Sequence, residues 1–168
     1  DHVKRVSSSA AGHDELRAAI RVYNQNRRAC ADLYKLRAAE PWRVPADECY
    51  LLMRAGMVLP PDEHTALVRD YLTRVVDEDR PVRDNARVAV VGAFCEQPPL
   101  DLIRVLERSG CYLVEDDFML VSRWLGDEVD EEGDPFEALS KAYLEYDGET
   151  ASRYVPDEQF EMWEKRDP

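Results

Sequence analysis

The feature that most constrains the fold is an apolar run, a helical pattern and a second apolar run that follow one another between residues 87 and 117. Residues 87–92 are mostly apolar and β-branched and are bounded by polar residues, which is typical of a parallel strand covered on both faces. Residues 100–109 have helical periodicity up to Gly110, and residues 111–114 form the second apolar run. Strand, helix and strand within about 30 residues predict a right-handed βαβ unit with parallel strands. The helix is expected to pack across the two strands through Leu102, Ile103, Val105 and Leu106.

The chain before this unit is predicted to be helical. Apolar residues at helical spacing over residues 13–39 predict an amphipathic helix that ends before Pro41. A second helix is expected from about residue 46, and a third after Pro60, where proline followed by acids is typical of a helix start. The charged residues 77–81 are interpreted as a solvated linker between this helical block and the βαβ unit.

Less regular structure is expected after the βαβ unit. One helical stretch is predicted around residues 135–146, with Asp134 as its N-terminal cap, and a last helix follows a loop. Because a stable sheet needs three or more strands, further strands are expected from elsewhere in the protein. The fold prediction is therefore α/β, with a helical bridging segment over residues 1–82 and a partial parallel sheet over residues 83–168.

Composition excludes several classes of partner. The net charge of −13 repels nucleic-acid backbones and anionic membrane surfaces, and no apolar run approaches the roughly 20 residues of a membrane span. Four cysteines without a CxxC pair, and three histidines without ligand spacing, indicate a reduced cytoplasmic protein rather than a zinc or disulfide framework. The chain does not begin with methionine, and we expect it to be an internal piece of a longer subunit.

The first candidate site follows the first predicted strand. Ligands of open parallel sheets bind at the carboxyl ends of the strands, and Cys95, Glu96 and Gln97 fall there, just before a helix start. A helix N-terminus lowers a thiol pKa, so this loop is predicted to line a catalytic cleft. A structural alternative stays open, because free cysteine is among the most buried residue types and could pack beneath the turn at Pro98 and Pro99.

The second candidate site follows the second predicted strand. Glu115, Asp116 and Asp117 are consecutive acids that could bind a metal ion or accept a phosphoryl group. Arg123 would face the same end of the sheet and could bind a carboxylate or phosphate of a ligand. The alternative is a solvated turn in which an acid caps the next helix and Arg123 pairs with its neighbours. Asp117 and Arg123 are the substrate-binding candidates of this loop.

The other cysteines and the polar run of the first helix are assigned to structure. Cys30 and Cys49 lie on apolar helical faces and are predicted to be core residues, and Cys111 is predicted to pack at a strand start. Cys95 is therefore the only candidate metal ligand. Residues 24–28, which read NQNRR, are predicted to form the polar face of their helix.

Several segments resemble one enzyme family. Residues 91–124 read VGAFCEQPPLDLIRVLERSGCYLVEDDFMLVSRW, and residues 20–37 read IRVYNQNRRACADLYKLR. Together with residues 133–144 and 150–158, they resemble catalytic subunits of the 2-hydroxyacyl-CoA dehydratase and benzoyl-CoA reductase family over nearly the whole chain. The string GAFCEQPP is more similar to the benzoyl-CoA reductase branch than to the dehydratase branch.

The resemblance implies a fold, a cofactor and partners. Such subunits contain two flavodoxin-like halves around a [4Fe-4S] cluster, so residues 83–168 would form part of a flavodoxin-like sheet. Each subunit pairs with a paralogous subunit, and an ATP-hydrolysing iron–sulfur activator supplies low-potential electrons. One-electron reduction of the acyl-CoA thioester then leads to ring reduction, or to dehydration of a 2-hydroxyacyl-CoA through a ketyl radical. Such enzymes are oxygen-sensitive and cytoplasmic.

The same resemblance implies that this piece is not a complete enzyme. The cluster cysteines of the family lie outside it, so the piece is expected to bind no cluster and to be inactive alone. Two other classes stay open: a receiver-type signalling domain with Asp116 and Asp117 as metal and phosphoryl acceptors, and a subunit-contact module without chemistry. Lys141 and Lys165 lie in helical contexts, whereas a receiver needs a lysine near its last strand, which disfavours the receiver.

Overall fold

The computed structural model describes residues 12–90, 99–116 and 126–152, with side chains up to residue 144. Over these ranges the chain forms α1 (His13–Ala39), α2 (Ala46–Ala55), α3 (Pro61–Val75), β1 (Ala86–Val90), α4 (Leu100–Arg108), β2 (Cys111–Asp116) and α5 (Pro135–Ser152). The α/β prediction, with a helical N-terminal block ahead of parallel strands, is confirmed. None of the helices in these ranges is both long and apolar enough to cross a lipid bilayer.

The chain divides into two compact units, one of residues 22–126 and one of residues 1–21 with residues 127–168. The predicted boundary at residue 82 does not correspond to this division, because it separates the helical segment from the strand-containing segment. That boundary stays a prediction for the longer protein.

A three-helix core joins α1, α2 and α3. Prolines precede or begin the two shorter helices, at Pro45 and Pro61, and acids in each first turn suit the positive helix end. The interface residues are buried: Ala29, Cys30, Leu33, Val44, Cys49, Met53 and Val68. Burial of each large apolar side chain contributes roughly 1.5–3 kcal/mol. The prediction that Cys30 and Cys49 are core residues is confirmed.

Polar side chains also join the three helices. The Nδ2 atom of Asn26 lies 2.9 Å from Nδ1 of His64, and Nε2 of His64 lies 2.9 Å from the carbonyl oxygen of Leu52. A ring protonated on Nε2 therefore donates to α2 and accepts from α1. Asn24 is completely buried. The predicted polar face of residues 24–28 is not fully solvated, because the amide of Asn26 contacts His64 and Oδ1 of Asn24 accepts from Nη1 of Arg27 at 3.3 Å.

β1 and β2 are adjacent parallel strands that α4 connects, so the predicted βαβ unit is confirmed. Gly110 follows α4 with a positive φ of 94°, a conformation that glycine adopts without steric cost. Its carbonyl oxygen accepts from the N–H of Ala86 at 3.1 Å. The prediction that β1 is covered on both faces is wrong for the described chain: its first two residues are exposed and the other three half-buried, beside a single partner strand.

α4 packs through one narrow stripe. Ile103 is completely buried, and Leu100 and Leu106, one turn before and after it, are partly buried in the same cluster. Leu102 and Val105 are 50% and 56% exposed, so the prediction that they pack across the sheet is wrong. The reason is that α2 and β2 both contact the Ile103 side of α4, and helical spacing places Leu102 and Val105 on a neighbouring face.

Arg80 anchors the linker that precedes β1 to the helical block. Nη1 and Nη2 of Arg80 donate to the two carboxylate oxygens of Glu48 at 3.1 and 2.9 Å, and that carboxylate also accepts from Oη of Tyr71 at 2.7 Å. Residues 77–79 are exposed, as predicted, but the prediction of a solvated linker is wrong at Arg80. Because a bidentate arginine–carboxylate pair has a defined geometry, it sets where the chain turns from α3 toward β1.

In the other compact unit, α5 begins at an aspartate cap. Oδ1 of Asp134 accepts from the backbone N–H groups of Phe136 and Glu137 at 3.0 and 3.1 Å, so the predicted cap is confirmed. The bond from the N–H of Glu137 is the main reason that the pKa of Asp134 is lowered. Oδ2 of Asp134 lies 3.0 Å from Nε2 of His13, in the first turn of α1.

Candidate functional site

The carboxyl ends of β1 and β2 lie side by side. Their last residues, Val90 and Asp116, are paired in register, so the two predicted site loops leave the sheet at one edge. This is the edge at which open parallel sheets bind ligands. The predicted site residues themselves all lie outside the described ranges, and their roles stay predictions: Cys95, Glu96, Gln97, Asp117 and Arg123.

A bulge in β2 determines which side chains face the helices at this edge. Val88 pairs with Leu113, but the next residue of β1 pairs with the residue after Val114, so Val114 has no partner across the ladder. Side chains alternate between the two faces of a strand, and one extra residue reverses the alternation beyond it. Asp116 therefore shares the face of Leu113 and Val88. Without the bulge, its carboxylate would lie on the opposite face.

Arg37 extends from α1 to this face and makes three hydrogen bonds there. Its Nη2 donates to Oδ2 of Asp116 at 2.7 Å, its Nε to the carbonyl oxygen of Leu113 at 2.7 Å, and its Nη1 to Sγ of Cys49 at 3.4 Å. The side chains of Arg37 and Asp116 are 0% and 1% exposed. One guanidinium thus joins α1, α2 and the end of β2, and its hydrogen bonds offset part of the cost of burying the two charges.

The described cysteines favour the protonated thiol form. Burial raises the pKa of Cys30 to about 12, and the neighbouring Cys49 adds to that shift. Burial also raises the pKa of Cys49, although Arg37 opposes the shift. Burial raises the pKa of the half-buried Cys111, with a further contribution from Glu107. Because the thiolate is the form that attacks electrophiles and binds metals, these three cysteines suit packing better than chemistry.

Asp116 does not have the environment that the sequence predicts. Both a solvated turn and a metal- or phosphoryl-binding loop are wrong for this residue, because its carboxylate is buried and bound to Arg37. The physical reason is the bulge at Val114, which turns the carboxylate toward α1.

Arg37 is a functional candidate that the sequence patterns do not identify. The signal that could have found it is its position four residues after Leu33, on the buried stripe of α1. An arginine at such a position needs a buried partner.

The described residues do not fit the [4Fe-4S] cluster that the family resemblance implies. Within the described ranges, no group of three or more His, Cys, Asp or Glu side chains could hold a metal ion. Cluster ligands are cysteine thiolates, whereas Cys30 and Cys49 are buried and their pKa values are raised. A cluster in the intact protein would therefore need ligands from other residues.

A groove of about 430 Å³ lies beside the first residues of the strands, at the edge opposite the candidate cleft. Trp42, Arg80, Arg104 and Cys111 contribute to its lining. The two arginines are engaged by carboxylates, as in the bond from Nε of Arg104 to Oδ2 of Asp47 at 2.9 Å. Because ligands of open sheets bind at the other edge, this groove is not the candidate catalytic site.

The described fold is that of an α/β protein whose candidate site lies at the carboxyl ends of parallel strands. The family model described as 2-hydroxyglutaryl-CoA dehydratase, D-component, matches residues 2–164, and the chain belongs to this family. Membership confirms the family that the sequence resembles. It also excludes the receiver-type signalling domain, whose phosphoryl acceptor could not be the buried Asp116.

Three relatives are named as subunits of acyl-CoA reductases or dehydratases. A benzoyl-CoA reductase subunit of Thauera aromatica is 49% identical over 152 residues, which are 90% of this chain and 39% of that subunit. The beta subunit of lactoyl-CoA dehydratase of Anaerotignum propionicum is 27% identical over 134 residues, 79% of this chain and 35% of that subunit. The (R)-phenyllactyl-CoA dehydratase beta subunit of Clostridium sporogenes is 21% identical over 157 residues, 94% of this chain and 41% of that subunit. The chain thus spans roughly two fifths of the length of these relatives.

Proposed function

We propose that this chain is part of a catalytic subunit of an acyl-CoA reductase that acts on benzoyl-CoA or a similar aromatic acyl-CoA. The observation that carries the proposal is the 49% identity, over 90% of the chain, to the benzoyl-CoA reductase subunit of Thauera aromatica. The two dehydratase subunits are less similar, at 27% and 21%. The string GAFCEQPP supports the same branch.

The proposed reaction adds two electrons and two protons to the aromatic acyl group. The first electron enters the thioester carbonyl and gives a radical anion whose charge extends into the ring. Protonation, a second electron and a second proton then complete a dienoyl thioester. The electrons come from an ATP-hydrolysing iron–sulfur activator, and a paralogous subunit completes the enzyme. The relatives support a paralogous subunit as a partner, because each relative is named as one subunit of an enzyme.

The intact enzyme is proposed to be an oxygen-sensitive cytoplasmic protein with a [4Fe-4S] cluster. Its cluster ligands would be residues other than Cys30, Cys49 and Cys111, because burial keeps those thiols protonated. Cys95 is the candidate cluster ligand in this chain.

The carboxyl edge of β1 and β2 is proposed to line the catalytic cleft. The proposed cleft residues follow the two strand ends: Cys95, Glu96, Gln97, Asp117 and Arg123. Glu96 or Gln97 would position the thioester or a proton donor, and Arg123 would bind a carboxylate or phosphate of the acyl-CoA. The pairing of Val90 with Asp116 supports the proposal, because both loops start from neighbouring positions.

A 2-hydroxyacyl-CoA dehydratase subunit is the second candidate. The family description and two of the three relatives name dehydratases. In that reaction the thioester is also reduced by one electron, but the 2-hydroxyl group and a β-hydrogen then leave and the electron is recovered. Net electron consumption therefore separates the two functions.

The test uses the full-length subunit, assembled with its partner subunit and supplied with the activator, ATP and a reductant without oxygen. Benzoyl-CoA is expected to disappear with two electrons consumed per molecule, and a 2-hydroxyacyl-CoA is expected to persist. Dehydration of the 2-hydroxyacyl-CoA without net electron consumption would establish the second candidate instead. Persistence of both thioesters would reject both functions.

A further inference from the structure

We infer that Arg37 is a positioning residue, which holds the end of β2 in the geometry that acyl-CoA binding requires without touching the substrate itself. The inference rests on the proposed function, because the position of this edge affects turnover only if the cleft lies there. Three observations carry it: the cost of the buried charges, the bulge beside them, and the way one guanidinium spans that bulge.

Stability alone does not explain a charge at this position. The α1 stripe that includes Leu33 is otherwise apolar where it meets α2, and another apolar residue would extend the same core. Arg37 and Asp116 are instead both removed from water. Well-packed apolar residues of similar volume often stabilise a fold as well as a buried ion pair does, or better. The pair is therefore better explained by the geometry that it imposes.

The bulge in β2 also supports a positioning role for Arg37. Bulges occur next to active sites, where they redirect a side chain or end the pairing of strands. Here the unpaired Val114 lies two residues before the end of β2 and turns Asp116 toward Arg37. The next residue in the chain is Asp117, which begins the predicted substrate-binding loop. The redirected carboxylate is therefore the last described contact before that loop.

A single rigid group spans the irregular segment. Nε of Arg37 binds the carbonyl oxygen of Leu113 just before the bulge, and Nη2 binds Asp116 just after it, each at 2.7 Å. The guanidinium is planar, so the two acceptors are held at a fixed separation. A lysine carries one small charged group on a flexible stem and cannot bind both acceptors in this way. The geometry points to a clamp across the bulge.

The test is made in the assembled full-length enzyme with two variants. The double variant Arg37→Met with Asp116→Leu removes both charges and keeps apolar bulk, so its melting temperature should fall by no more than the loss of the hydrogen bond to the Leu113 carbonyl oxygen costs. Its KM for the acyl-CoA should rise at least about tenfold with kcat changed less than about twofold, because loosening a loop misplaces the groups that bind substrate. Arg37→Lys should raise KM in the same direction.

A second ion pair supplies the matched control. Arg80→Met with Glu48→Leu removes a bidentate pair at the linker, away from the strand ends, and should leave KM unchanged. An unchanged KM in the Arg37 and Asp116 double variant would overturn the inference. A lower kcat at unchanged KM, with a lower melting temperature, would also overturn it, because that is the result of a purely structural role.

A second measurement separates this inference from the proposed function. Amide hydrogen exchange at residues 113–116 should be faster in the Arg37 and Asp116 double variant than in the wild type, with little change in α3. If the wild-type enzyme turns over no acyl-CoA, the proposed function fails, and exchange alone reports on the clamp. Unchanged exchange at these residues would then overturn the clamp as well.

Discussion

Two polar side chains of α1 each bind a particular neighbouring element. Asn26 contacts His64 between α1 and α3, and Arg37 binds Asp116 between α1 and β2. An unpaired buried polar group costs roughly 1–3 kcal/mol, so each contact favours one relative position of two elements. Periodicity identifies which positions of a helix are buried, but it does not identify which partner a polar residue finds there. For this reason the sequence predicts the buried stripe of α1 and misses the role of Arg37.

Gly56 tests the packing around His64. A Cβ atom at Gly56 would lie 2.6 Å from Cε1 and 2.8 Å from Nδ1 of that ring, which Asn26 and the carbonyl of Leu52 hold in place. Gly56→Ala is expected to lower the free energy of unfolding of the full-length subunit by about 1–3 kcal/mol, measured in urea. Gly133→Ala is the control, because its Cβ meets nothing closer than 3.5 Å. Equal losses in the two variants would contradict this packing.

Ionisation of the Cys30 thiol is expected to make the free energy of unfolding depend on pH in the alkaline range. Its pKa is raised by burial from 9.0 to about 12, so its contribution is complete below about pH 9 and is lost as the pH rises toward about 12. Between about pH 8 and about pH 10, the free energy of unfolding of the wild type should fall by about 1 kcal/mol relative to Cys30→Ala. Urea unfolding of both proteins at the two pH values measures this difference. The same pH dependence in both proteins would mean that Cys30 is not a buried thiol.

The proposed catalytic role of the loop after β1 can be tested by substitution. Cys95→Ala and Glu96→Ala in the full-length enzyme should each lower turnover at least about tenfold, or about 1.4 kcal/mol of barrier, with little change in melting temperature. Glu63→Ala is the control, because Glu63 is an exposed carboxylate on α3. If turnover persists and the melting temperature falls, the loop is structural and these residues are not catalytic.

At the scale of secondary structure, the sequence predicts the elements better than their contacts. Both strands, their parallel pairing and the helix between them follow from apolar runs and from Gly110. The bulge at Val114 does not, because it depends on how β2 meets β1 and α1 and leaves no mark on local composition. The buried face of α4 does not follow from the sequence either, because packing against α2 buries Ile103 and leaves Leu102 half exposed. Tertiary neighbours decide these details.

The packing of α4 can be measured directly. Ile103→Ala should lower the free energy of unfolding of the full-length subunit by about 2–5 kcal/mol, because it leaves a cavity in the core. Leu102→Ala should cost less than about 1 kcal/mol, because half of that side chain is already exposed. Chemical denaturation of both variants gives the comparison. Similar losses would mean that Leu102 is also covered, by residues outside the described ranges.

At the scale of the whole molecule, the chain corresponds to part of the subunits to which it is similar. The described part of the sheet has two strands, and the chain spans roughly two fifths of the length of its relatives. The family, the α/β fold and the shared edge of the two predicted loops could all be predicted from the sequence. The proposed site residues lie outside the described ranges, so their positions stay predictions.

The mass of the product formed from benzoyl-CoA distinguishes the proposed reductase from a dehydratase. The assembled full-length enzyme is supplied with activator, ATP and reductant without oxygen, and the thioesters are separated and weighed by mass spectrometry. We predict a product heavier than benzoyl-CoA by two hydrogens, formed only when ATP is present. Recovery of unchanged benzoyl-CoA, while a 2-hydroxyacyl-CoA loses water in the same enzyme, would contradict it.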